Sequence, residues 1–178
     1  MDNAAFFFLI FNLNGKSILL DKLMVFGAEP LIYLFIFFIF ILALKGGMKE
    51  KKAFLLVLLG IPIAILFIKG IHLFFFENRP FVTYHFTPFV KEIANASFPS
   101  RHATIAAILA LPYTYLKSKW SIFFLFIMTW IGFSRIYVGV HYPLDVIGGF
   151  LVGIVALLVS VKIKDLLRFG FLKKPLQR

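Results

Sequence analysis

The chain has 178 residues, of which 61% are hydrophobic and only 15% charged, and its mean hydropathy is +0.95. A soluble domain carries about 25% charged residues, so disorder, a fibrous chain and an ordinary cytosolic domain are excluded, leaving one membrane-embedded domain over residues 1–178. The net charge of +11 would suggest nucleic acid on a soluble protein. Here the basic residues stand in short segments between apolar runs, where they report topology and contact with anionic lipid, and no nucleic-acid partner is expected.

A membrane span needs about 20 largely apolar residues. Ala4–Leu13 is apolar but too short to cross, and is expected to be an interfacial helix; no basic n-region marks it as a cleaved signal. Spans are expected at Ala28–Leu44, Ala53–Phe76, His102–Leu116, Trp120–Val140 and Pro143–Val161. The fold class is therefore an all-α integral membrane protein, a bundle of about five transmembrane helices. Twelve Lys and Arg fall in the loops 45–52 and 117–119 and in the tail 162–178, against six on the other side. The positive-inside rule makes the first set cytoplasmic, and turns the loops 77–101 and 134–142 outward together. The protein is thus expected in the plasma membrane.

Charged residues in or beside spans are costly and mark function. Here they gather at the outer ends: Lys69 and Arg79-Pro80 after the second span, Pro99-Ser100-Arg101-His102 before the third, Ser134-Arg135 closing the fourth, and His141 and Asp145 opening the fifth. Several fixed cations suit a phosphate-type anion, and the forked guanidinium suits it best. Helix N-termini near Ser100 and Tyr142 add backbone N–H donors. One His can attack phosphorus while another protonates the leaving oxygen, and Asp145, four residues after His141, can fix its tautomer. Carboxylates are few beside the cations, which points away from a Mg²⁺ or Zn²⁺ site; no metal and no cofactor is expected. Against this, Lys and Arg at span ends often serve as anchors, Ser100 can be a helix cap only, and Asp145 a plain first-turn acid.

Arg79-Pro80, Pro99-Ser100-Arg101-His102 and Ser134-Arg135-x5-His141-x3-Asp145 together resemble the three-part signature of the type 2 phosphatidic acid phosphatase superfamily. The third part matches without a gap. In the second, Arg101 replaces the usual Gly. In the first, His72 fills the slot usually held by Lys, and Lys69 lies three residues earlier, about 4.5 Å along a helix and within snorkelling reach. Lys69 is favoured as the cation, and His72 and His85 are taken as structural. The motifs lie within 69–145. The resemblance implies His141 as nucleophile forming a phosphohistidine, Asp145 orienting it, and His102 as acid. It implies Lys69, Arg79, Ser100, Arg101 and Arg135 as phosphate-binding residues. General similarity is greatest to the bacterial undecaprenyl-diphosphatase branch, which implies a membrane lipid diphosphate substrate met at the outer face. Phosphatidylglycerophosphate, lipid A and other diacyl lipid phosphates are the alternatives. A transporter of a phosphorylated solute would instead show midplane polar residues and repeated halves, and neither is visible.

Overall fold

Capping residues fix where the helices begin. Asp2 accepts the Ala5 N–H at 2.7 Å and opens α1 (Asn3–Phe11), and Ser17 accepts the Leu20 N–H at 3.4 Å and opens α2 (Ile18–Ala28). Pro30 begins α3 (Pro30–Lys45), where its missing N–H costs nothing. There follow α4 (Met48–Phe74), the single turn α5 (Pro80–Thr83), α6 (Arg101–Tyr115) behind its Ser100 cap, α7 (Ser121–Tyr137) and α8 (Pro143–Leu172). The structure is a computed structural model that describes residues 2–172, and all regular structure among them is helical.

Helix α6 is the axis of the bundle. Ala103, Ala106, Ala107, Ile108, Leu109, Ala110 and Tyr113 are all buried on it. Small residues let α8 cross it closely: a Cβ on Gly149 would come within 2.9 Å of the Ala103 Cβ, and Gly153 faces Ala107. α4 packs on α6 and α8, and α7 on α6, with α2 laid against α7 and α3 against α2 and α4. This crossing sets the N-termini of α6 and α8 side by side, where the Ser100 N–H donates to the Asp145 carbonyl at 2.9 Å. Outside the core, Leu66 is 70% exposed, Phe74 92% and Ile122 84%, a surface suited to lipid chains and not to water.

Each of the five expected spans corresponds to a helix: α3, α4, α6, α7 and α8. Two stretches, Met48–Phe74 and Pro143–Leu167, are each long and apolar enough to cross a membrane. α2 and α3, bent by 52° at their junction, pass that test only as a pair, and α7 is a shorter apolar helix. α6, with 15 residues, is shielded by neighbouring helices rather than by lipid, so it escapes the lipid-thickness requirement. The expected short N-terminal helix is present as α1. α2 is an addition: Asp21 and Lys22 interrupt its apolar run and hide it in the sequence. The basic tail is helical as far as Leu172, and residues 173–178 lie outside the described residues.

Candidate active site

Four segments deliver the polar cluster to one end of the bundle. Arg79 caps α5, Ser97 and Ser100 come from the loop before α6, Arg135 lies in the last turn of α7, and His141 and Asp145 bracket the start of α8. Arg79, Arg135 and His141 are each 1% exposed and Asp145 is fully buried. Charges this deep persist only when partnered.

Arg79 is pinned by neutral acceptors. Its Nε and Nη2 donate to Asn95 Oδ1 at 3.1 and 2.8 Å, and its Nη1 donates to the Val140 carbonyl at 3.1 Å. The same Nη1 lies 3.2 Å from His141 Nε2. Arg135 donates from Nη1 to the Ala28 carbonyl at 3.2 Å and pairs through Nη2 with Glu92, while its Nε is buried without a partner. On the far side of the imidazole, His141 Nδ1 is 3.3 Å from Asp145 Oδ2 and 3.4 Å from Ser97 Oγ. Asp145 Oδ2 also accepts from Ser97 Oγ at 2.5 Å and from the Tyr142 N–H at 2.8 Å. With the ring proton on Nδ1 and directed to Asp145, the Nε2 lone pair faces the guanidinium side. That is the tautomer an attacking imidazole needs.

The electrostatics favour the same state. Burial, then the Arg79 and Arg135 charges, holds the His141 imidazolium well below the ordinary histidine range, so the ring is neutral at neutral pH. Burial pushes Arg79 down to about 10, opposed by Glu92, and leaves it charged. For Glu92 burial acts upward, but the neighbouring Arg135 and Arg79 outweigh it and hold the carboxyl below its usual range.

The remaining expected residues are placed less uniformly. His102 is half-buried in the first turn of α6, within the field of Arg135, Glu92, Arg101 and Arg79 and in electrostatic range of His141. Ser100 is buried and accepts the Ala103 N–H at 3.5 Å, so its hydroxyl serves as the α6 cap. Arg101 is exposed, its Nη2 3.9 Å from Glu92 Oε1. Lys69 stands exposed on α4 and makes no hydrogen bond or ion pair with the cluster among the described residues. The structure brings His72 there instead: it lies by the Phe98 backbone within the field of Arg101 and Arg79, its Nε2 buried without a partner. Among the described residues no three His, Asp or Glu side chains group as metal ligands.

Three residues of the site escape the sequence reasoning: Glu92, Asn95 and Ser97. All lie in the irregular segment between α5 and α6, where no helical period exposes them. Ser97, three residues before Ser100, carries the one available signal, because it adjoins the Pro99-Ser100-Arg101-His102 motif.

The PAP2 superfamily model matches residues 51–168. The chain is 34% identical over 172 residues to undecaprenyl-diphosphatase BcrC of Bacillus subtilis, covering 93% of this chain and 86% of that protein. It is 37% identical over 70 residues to a lipid A 1-phosphatase of Rhizobium etli, which covers 39% of this chain and 30% of the relative. The crystal structure of Aquifex aeolicus LpxE superposes with a TM-score of 0.68 at 26% identity, over 90% of this chain and 94% of that one. A Bacillus subtilis PAP2-type phosphatidylglycerolphosphate phosphatase shares the fold, with a TM-score of 0.57 at 22% identity over 92% and 84% of the two chains.

Proposed function

The chain belongs to the PAP2 superfamily and is a multi-pass membrane phosphatase, and from that premise we propose that it removes the terminal phosphate of undecaprenyl diphosphate at the outer face of the plasma membrane. The observation that carries this reading is the line of contacts from Arg79 through His141 to Asp145. The imidazole is neutral, oriented through Nδ1, and offers Nε2 beside a guanidinium.

His141 Nε2 attacks the terminal phosphorus. The phosphorus–oxygen bond to the lipid monophosphate breaks, and His102 protonates that leaving oxygen. Asp145 stabilises the positive charge that develops on the ring. Arg79 and Arg135, helped by Arg101 and the α6 N-terminus, hold the non-bridging oxygens and are strongest where charge builds up in the transition state. Water then cleaves the phosphohistidine, with His102 accepting its proton. No step calls for a metal. His72 is the candidate for the first-motif position, with Lys69 at the lipid boundary.

A site at the membrane edge lets a long prenyl tail stay in lipid while the headgroup enters the cluster. Few tail contacts are then needed, and the 34% identity to an undecaprenyl-diphosphatase over most of both chains supports that substrate over a diacyl phosphate. The test is phosphate release by the purified protein, with EDTA present, from undecaprenyl diphosphate beside diacyl lipid phosphates. Much faster turnover of a diacyl phosphate would remove the substrate assignment, and inactivity on all of them would remove the reading.

A further inference from the structure

One carboxylate in the cluster has no part in this chemistry. Glu92 is 12% exposed, yet its oxygens sit among guanidiniums from three different segments: it pairs with Arg135, lies 3.7 Å from Arg79 Nη1, and lies 3.9 Å from Arg101 Nη2. A carboxylate presents two oxygens to a guanidinium much as a phosphoryl group does. The position also coincides with that of the reaction. Arg79 Nη1 is shared between Glu92 and His141 Nε2, so a phosphoryl group attacked by that nitrogen must place its oxygens where the Glu92 carboxylate now stands.

Glu92 is not needed to hold the arginines in place. Arg79 is fixed by Asn95 and the Val140 carbonyl, and Arg135 by the Ala28 carbonyl. These are neutral acceptors that stay when the carboxylate leaves. Glu92 itself belongs to the irregular segment between α5 and α6 and not to a helix of the bundle, so its withdrawal disturbs no helix packing.

We propose that Glu92 is an internal competing anion: it fills the phosphate cradle of the free enzyme, and every phosphate ligand must displace it. The inference rests on the cluster being the phosphate site. Displacement weakens all such ligands by the same factor, so it does not alter the ratio between them. It raises the concentration each needs. Inorganic phosphate, the product with the fewest contacts, then falls below useful occupancy, while a diphosphate anchored by its lipid tail still binds. The carboxylate in this way lowers occupancy of the free site by phosphate and offsets part of the charge of two buried guanidiniums between turnovers.

The experiment compares the wild type, Glu92→Gln and Arg135→Lys in detergent, with inorganic phosphate and vanadate as probes, by calorimetry and by inhibition of lipid phosphate hydrolysis. Glu92→Gln should bind both anions roughly tenfold more tightly, with the inhibition constant and KM falling together. Unchanged or weaker anion binding in Glu92→Gln, with Arg135→Lys still losing it, would overturn the competing-anion role and leave the phosphate site intact. Absence of binding in all three proteins would overturn the phosphate site itself. A second measurement needs no variant. Hydrogen exchange of the wild type should speed up at and beside Glu92, over 91–93, when vanadate binds, because the carboxylate is expelled, and slower exchange there would contradict displacement.

Discussion

The two ends of the bundle both carry cations, and they handle them in opposite ways. At the end where α3 turns into α4 and α6 into α7, Lys45, Lys49, Lys51, Lys52, Lys117 and Lys119 are all exposed, and Lys49 donates to the Lys117 carbonyl at 3.3 Å. The one buried charge there among the described residues, Glu50, accepts from Ser118 Oγ at 2.9 Å. At the other end Arg79 and Arg135 are buried to 1% exposure and surrounded by polar partners. An exposed lysine costs little and does little beyond anchoring to lipid, whereas a buried guanidinium must be sustained by the fold around it. The number of cations thus says less about function than how deeply each is set.

Several substitutions put this contrast to the test. The largest effect is expected for His141→Ala, a fall in turnover of about 10⁴-fold or more with loss of any acid-labile phosphoenzyme after rapid quench. Trapped phosphate on His102 would reverse the two histidine roles. Arg135→Lys keeps the charge and loses the fork, and should lower kcat/KM by roughly 10²–10³-fold with the protein still folded by thermal unfolding. Full activity in that variant would place the buried arginines in the same class as the exposed lysines. Ser97→Ala removes a donor to Asp145, and should lower kcat about tenfold with little change in KM, the mark of a positioning residue.

A smaller effect concerns stability. His141 stays neutral in the folded protein, while an unfolded histidine takes up a proton below about pH 6.5. The unfolded state therefore binds more protons in that window. Stability is full above about pH 6.5 and declines as pH falls below it, at most by about 1.4 kcal/mol per pH unit from this group. Thermal unfolding between pH 7.5 and 5.5 should show a shallower decline in His141→Asn than in the wild type. The smallest effect is expected where the lysines are solvated: replacing Lys45, Lys49 and Lys119 together with Gln should change kcat/KM by less than about threefold. A large loss there would erase the distinction between the two ends.

Much of this contrast is legible in the residue order. Arg79, His102, Arg135, His141 and Asp145 stand out because a charge beside a 20-residue apolar run has no cheap explanation. The helices α4 and α8 declare themselves by length. What stays hidden is hidden for physical reasons. α2 mixes charge into an apolar run, and α6 is short because other helices, not lipid, cover it. Glu92, Asn95 and Ser97 sit in irregular backbone, where function depends on the path of the chain and not on a repeating period. The choice between Lys69 and His72 is one of helix face, set by how α4 turns against α6 and α8, and spacing from a motif does not decide it.

The first helix bears on how the site is assembled. Phe7 is fully buried, its ring 5.5 Å from Tyr142 and 6.3 Å from Phe86, and the Asn3 side chain accepts the Leu144 N–H at 3.1 Å. These contacts join α1 to the turn that carries His141, 141 residues apart at Asn3 and Leu144. Contacts so distant in sequence close late in folding. The nucleophile's turn is therefore locked only once α1 docks, so a protein whose first helix is displaced carries its arginines and histidines without the clamp that would align them.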